Sequence, residues 1–330
     1  MKSNWFARLA LFGTVLGFCV VVLGGYVRLS DAGLGCPDWP GCYGHLSVPS
    51  AEQDIDKANS AFPHRPVESG KAWKEMIHRY VAGALGMVIL MLTILAWRNR
   101  SLANQRLFTT SLLGLVIFQA LLGMWTVTHL VNPTIVTSHL LAGMTTVALV
   151  WWLALGGYFA DRRHVHRWRW PVVIGLIILV LQIFLGGWTS TNYAALACTS
   201  FPGCYQGQMW PQMDFAEGFI LWRPLGVNYE FGVLDPDARA AVHMVHRIGA
   251  LVTLIYLGWL GIKIVLQGSS ATIKSLGYLL LAALTLQVGL GITNVVAGLP
   301  LMVAVAHNGG ALLLSLVLVT LLYFSNKEEA

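Results

Sequence analysis

Apolar residues along this chain gather into eight runs of about twenty, at 9–29, 76–97, 107–128, 134–157, 170–190, 241–262, 272–294 and 301–324. Helix rises about 1.5 Å per residue, so a run of that length crosses the roughly 30 Å hydrocarbon layer of a bilayer. The pattern predicts an all-α integral membrane protein with eight transmembrane helices. The first run is not read as a cleaved signal peptide. It lacks a small-residue cleavage site and continues directly into a patterned loop, GGYVRLSDAGLGCPDWPGC.

Composition agrees. Of the 330 residues, 56% are hydrophobic and only 11% charged, against about 25% charged in soluble domains. The net charge of +6 is no nucleic-acid signal, because its carriers sit in alternating short links. These are Lys2 and Arg8; Arg98, Arg100 and Arg106; Arg162, Arg163, Arg167 and Arg169; Lys263 and Lys274; and Lys327. Of the 15 acidic residues, 12 fall in or beside two long loops, 30–75 and 191–240. The positive-inside rule then puts both termini in the cytoplasm and both long loops outside, in the periplasm for a bacterial inner membrane.

The second half repeats the first. Adding 162 to each number carries Gly24–Cys42, GGYVRLSDAGLGCPDWPGC, onto Gly186–Cys204, GGWTSTNYAALACTSFPGC. At an offset of 168, His78-Arg79 meets His246-Arg247, Gln119 and Gly123 meet Gln287 and Gly291, and His139 meets His307. Four crossings return a chain to its starting side. The halves, 1–160 and 161–330, are therefore expected as two tandem four-helix bundles, pseudo-twofold related about the membrane normal. The basic stretch DRRHVHRWRW marks the boundary.

Two cysteine pairs, Cys36 with Cys42 and Cys198 with Cys204, lie six positions apart in the outer loops. Outside the cytoplasm such pairs can close as disulfides; a metal clip or a redox-active pair are the alternatives. Cys19, alone in the first helix, reads as a small packing residue.

Of ten histidines, His45, His64, His129, His164 and His166 fall in loops and links. His78, His139, His246 and His307 instead sit a few residues into the even-numbered helices, at nearly one depth. Ionisable groups inside spans usually mark function. Four at equivalent places in duplicated halves suit two bis-histidine haem sites. Zinc, copper or di-iron sites would want more donors at helical spacing. Arg79 and Arg247, next in sequence, could meet haem propionates or act as interfacial anchors. Gly83, Gly143, Gly249 and Gly310 suit a flat macrocycle, or close helix packing. The halves differ at Glu75, three residues before His78 on the same helix face, whose counterpart is His243.

The loop GGYVRLSDAGLGCPDWPGCYG, the ExxHR of Glu75 to Arg79 and the paired histidines together resemble the haem A synthase family, over essentially the whole chain. That resemblance implies an oxidoreductase acting on a methyl group, oxidising the C8 methyl of haem O to a formyl group by successive hydroxylations. It implies haem b as cofactor in the C-terminal half, ligated by His246 and His307 and relaying electrons. It implies substrate haem O addressed by His78 and His139, with Glu75 as the catalytic carboxylate. The stretch KAWKEMIHR departs from the family's more aromatic version, so only Glu75, His78 and Arg79 are carried over from it. Cysteine pairs in both outer loops resemble some bacterial members. Haem O synthase and cytochrome oxidase assembly factors are the expected partners, and a homo-oligomer is compatible.

Two other classes compete. A bis-haem transmembrane cytochrome b would use the same histidines but stack its haems across the membrane, against the single depth seen here. A repeat-built transporter would break helices near the midplane, and no Pro-interrupted span of that kind is evident.

Overall fold

The computed structural model describes residues 4–159 and 166–325. Lys2, Arg162, Arg163, His164 and Lys327, and half of the expected boundary stretch, lie outside the described residues. Eight helices are long and apolar enough to cross a membrane. They are α1 (Asn4–Leu29), α2 (Ser69–Arg98), α3 (Arg106–Thr128), α4 (Pro133–Tyr158), α5 (Arg169–Thr191), α6 (Pro236–Gln267), α7 (Ala271–Val296) and α8 (Leu301–Ser325). Each runs unbroken. Short helices Glu52–Ala61 and Phe215–Gly218 decorate the two long loops. The chain is a multi-pass membrane protein.

Helix starts follow local chemistry. Asn132 accepts from the Thr134 amide at 3.1 Å and Pro133 opens α4, while Ser270 accepts from Ile273 at the start of α7. α2 and α6 begin at Ser69 and Pro236, ahead of their apolar runs at 76 and 241. The extra turn of α2 carries Glu75 toward the long loops, while His243 lies at the start of the apolar run of α6.

In the first half α1 packs on α2 and α4, and α3 on α2 and α4, closing a ring of four. The second half closes the same ring, α5 on α6 and α8, and α7 on α6 and α8. The rings meet through α1 with α8, α4 with α5, and α4 with α8. Tight apolar packing occupies the short-link end of each ring. In the first half it runs through Phe6, Leu85, Ile89, Leu112 and Val150. In the second it runs through Val172, Leu257, Leu280, Leu312 and Leu318. The long-loop ends, where the four histidines lie, are left for other contents. Outward-facing Met87, Ile117, Ile255 and Tyr278 are exposed, as suits a molecule whose solvent is hydrocarbon. Cys19 corrects an expectation. It is exposed on α1 rather than packed inside.

Both loop cysteine pairs are bridged, Cys36 to Cys42 and Cys198 to Cys204. Each closes a tight loop within its own half. Among the described residues no three metal-binding side chains cluster.

Gly157, at the end of α4, lies against α1 so closely that a methyl there would fall within 3.2 Å of the Ala7 Cα. Its neighbour Gly156 has nothing within 4 Å. Gly157→Val should therefore destabilise the protein by about 1–3 kcal/mol, the range for overpacking a close contact. Gly156→Val should stay near wild type. Thermal unfolding of the two variants in one detergent checks this, and equal midpoints would show that α1 and α4 do not depend on this approach.

Candidate functional site

The four membrane histidines share one construction. His78 is the tenth residue of α2, His246 the eleventh of α6, and His139 and His307 the seventh of α4 and α8. Each ring rests on a glycine of the preceding helix. A methyl on Gly24 would lie 2.9 Å from Cε1 of His78, and one on Gly123 3.2 Å from Cε1 of His139. The matching values are 3.2 Å for Gly186 with His246 and 3.0 Å for Gly291 with His307. Any side chain at these positions would push the imidazole out of place.

Within each ring the histidine-bearing helices stand diagonally across the bundle. His78 and His139 are in electrostatic reach of each other, as are His246 and His307. Among the described residues no protein group hydrogen-bonds to Nε2 of any of the four. Their other faces are held. Gln119 Nε2 donates to His139 O at 2.8 Å, and Gln287 Nε2 to His307 O at 3.0 Å. His307 Nδ1 meets the Gln287 carbonyl at 3.2 Å. Nδ1 of His78 and of His139 face the carbonyls of Val20 and Gln119, just short of hydrogen-bond geometry. Two neutral imidazoles with free Nε2 atoms, opposed across an apolar bundle, fit the axial ligands of a haem iron.

Three of the flanking glycines make room for glutamines. A methyl on Gly143 would lie 3.0 Å from Gln119 Nε2, and methyls on Gly249 and Gly310 would meet Oε1 of Gln182 and Gln287. Gly83 has nothing within 4 Å.

Arg79 and Arg247, read as propionate contacts or interfacial anchors, bond to the disulfide loops. Arg79 Nη1 donates to Asp38 O (2.9 Å), Pro40 O (3.3 Å) and Gly41 O. Arg247 Nη1 donates to Ser200 O (2.9 Å), Pro202 O (3.4 Å) and Gly203 O (2.8 Å), the same three carbonyls displaced by 162. Sequence reasoning missed this, although the repeat of Pro-Gly-Cys together with a repeated His-Arg held the signal.

Glu75 and His243 also act on the loops. Glu75, 4% exposed, accepts from the Cys36 amide at 2.9 Å and pairs with Arg79 Nη2 at 2.5 Å. His243 Nδ1 accepts from the Cys198 amide at 3.2 Å, while Arg247 Nη2 turns to Cys198 O at 2.9 Å. Only glycine fits at 35, since a methyl there would lie 2.6 Å from the Lys71 carbonyl carbon. That close approach is what brings the Cys36 amide within reach of Glu75.

The halves also hold each other at this end. Arg28 Nη2 donates to Ser190 O at 2.6 Å, and Tyr193 OH to Asp31 Oδ1 at 3.2 Å. Each pair joins a residue to its own counterpart 162 positions on. The second long loop reaches over the first half, where Tyr229 donates its amide to Leu130 O at 3.1 Å and Glu230 pairs with Arg65 at 2.9 Å. Between the loops lies a cavity of about 360 Å³, bounded by Leu34, Pro37, Phe62, Leu130 and Asn228. None of the expected site residues lines it.

Bonds from a guanidinium are worth about 1.5–3 kcal/mol each. Arg247→Ala should thus speed amide exchange across residues 198–204 at least tenfold, with the spanning helices unchanged. Exchange mass spectrometry reads this, and protection equal to wild type would deny the arginine its hold on the loop.

The chain matches the family COX15-CtaA, cytochrome oxidase assembly protein, over residues 7–319. It is 45% identical to the heme A synthase of Shewanella oneidensis, covering 98% of this chain and 97% of that one. The heme A synthase of Wolbachia pipientis subsp. Culex pipiens is 28% identical over 89% of each chain. That of a Chelativorans species is 26% identical over 94% of this chain and 89% of its own. With the match running almost from end to end, this chain belongs to the COX15-CtaA family of cytochrome oxidase assembly proteins.

Proposed function

We propose that this chain is a haem A synthase, acting on haem O in its N-terminal half, 1–160, and carrying haem b in its C-terminal half, 161–330. The observation that carries the reading is an asymmetry inside a symmetry. Two equivalent imidazole pairs share one construction, yet Glu75 is the sole carboxylate among the buried polar and charged side chains described. Its place in the other half is taken by His243. One half thus has a carboxylate beside its histidines, and the other an imidazole.

In this reading His246 and His307 hold haem b, which when bound supplies one-electron transfer. His78 and His139 address the iron of the substrate, haem O. The C8 methyl is oxidised to a formyl group, a loss of four electrons in two hydroxylation steps, making the protein an oxidoreductase. Each step also releases protons. Glu75, one turn from His78 toward the loop, is assigned to accept them. Accepting one would give up its pairing with Arg79, which the three loop carbonyls would still hold. The roles of Arg79 and Arg247 are to pin the loops, with propionate contact secondary.

The same reading relates the halves by a pseudo-twofold along the membrane normal. It sets the termini in the cytoplasm and the disulfide loops in the periplasm of an inner membrane, by the charge of the links. Haem O synthase and oxidase assembly factors are proposed as neighbours, and self-association is compatible.

Two measurements test this. Purified protein should show a low-spin haem spectrum, lost in His246→Ala or His307→Ala but largely kept in His78→Ala; equal loss from all would deny the division of labour. For Glu75, the informative change is Glu75→His, which installs the C-terminal half's own residue at the loop contact. It should fold, keep haem b and accumulate haem O or the half-oxidised alcohol, as should Glu75→Gln. Normal haem A from Glu75→His would reduce Glu75 to a loop-holding residue.

A further inference from the structure

The four histidine seats follow one pattern on the preceding helix: a residue four positions before the glycine faces the same imidazole. It is Gln119 before Gly123, Gln182 before Gly186 and Gln287 before Gly291, but Val20 before Gly24. Three seats are therefore glutamine seats and one is not. The opposing helix matches the choice. Gly249 makes room for Gln182, whereas the residue 168 positions earlier is Val81.

Among the three glutamines only Gln182 touches the ring with its side chain. Its Nε2 lies 3.1 Å from His246 O and 3.0 Å from His246 Nδ1. The side chains of Gln119 and Gln287 reach only the backbone carbonyl of their histidine, at 2.8 and 3.0 Å, and His307 Nδ1 meets the main-chain carbonyl of Gln287 instead. The other amide atom of Gln182, Oε1, is buried without a partner, as are those of Gln119 and Gln287. A buried unpaired oxygen is unfavourable, and at Gln182 the ring stands close enough to supply the donor. Half a turn of the terminal amide exchanges its oxygen and nitrogen; Oε1 then accepts from Nδ1–H, in exchange for the bond that Nε2 gives to His246 O. That is the tautomer in which Nε2 keeps a lone pair for iron.

We propose that Gln182 is the positioning residue of the C-terminal haem site, selecting the iron-binding tautomer of His246 and raising its donor strength. His78 has only the main-chain carbonyl of Val20 behind its ring and no side-chain amide. The two halves thereby offer imidazoles of different strength from one scaffold: a firmly held ligand where a haem stays, and a weaker one where a haem must leave. The proposal rests on reading His246 and His307 as ligands of a resident haem.

The test uses the whole chain purified with its haem. Transfer of haem to apomyoglobin gives a dissociation rate, paramagnetic resonance reports the ligand field, and a redox titration gives the potential. Gln182→Leu should release haem at least tenfold faster, by analogy with other residues that support a metal ligand from behind. It should also shift the resonance and raise the potential. Gln182→Glu, of the same size but a stronger acceptor, should keep the haem and lower the potential. Gln287→Leu, which removes only a bond to His307 O, should change the resonance much less. Wild-type rate, resonance and potential in both Gln182 variants would overturn the proposal, as would equal effects from Gln182→Leu and Gln287→Leu. If His246→Ala leaves the haem spectrum intact, the underlying reading of the C-terminal half falls instead. If it removes the haem while the Gln182 variants behave as wild type, only the role of Gln182 falls.

Discussion

An imidazole sunk among leucines and valines presents two nitrogens, and neither can be left idle in so apolar a place without cost. In this fold the problem is met four times in one way. A glycine removes the obstacle beside the ring, and backbone or amide groups of the preceding helix engage one side of the histidine. Nε2 is left toward the bundle interior. Everything else at the long-loop end follows from keeping that arrangement aligned. The helices bearing the rings stand diagonally, the tight core is confined to the short-link end, and disulfide loops close the top. The loops are in turn gripped by the arginine that follows the histidine in sequence. Ligand and clamp are thus consecutive residues, and a shift of one displaces the other.

Duplication makes the differences legible. Arg79 and Arg247 hold carbonyls at identical offsets, so the loop architecture needs no charge from position 75 or 243. A carboxylate or an imidazole serves equally to accept the cysteine amide. That freedom is what allows one half to carry a buried acid without remodelling its surroundings. Chemistry and structure are separable at this position because the structural duty asks only for an acceptor.

Much of this could be read from the chain. Eight spans, the repeat, the four histidines and the loop disulfides all follow from patterns that a bilayer or an oxidising loop imposes on composition. What was not legible depended on direction rather than identity. Nothing in the run of α1 says that Cys19 faces outward. The arginines looked like anion binders because their charge is visible in sequence, and three convergent carbonyls are not. That Gly143, Gly249 and Gly310 each make room for a glutamine was hidden because the glutamine lies on another helix. Gln182 itself escaped notice because its counterpart, Val20, breaks the repeat that advertised Gln119 and Gln287.

The second long loop lies over the first half rather than its own. Tyr229 is buried there beside Leu34, Val127 and Val131, and Glu230 is tied to Arg65. Among the described residues no comparable excursion runs the other way, so the two bundles are not interchangeable modules. An ancestral single-bundle protein pairing with a copy of itself would have had two equivalent lids. In the fused chain only one is used, and the N-terminal bundle is completed by a segment translated after it. During synthesis, then, the first four helices can be fully inserted while their outer closure still awaits the ribosome.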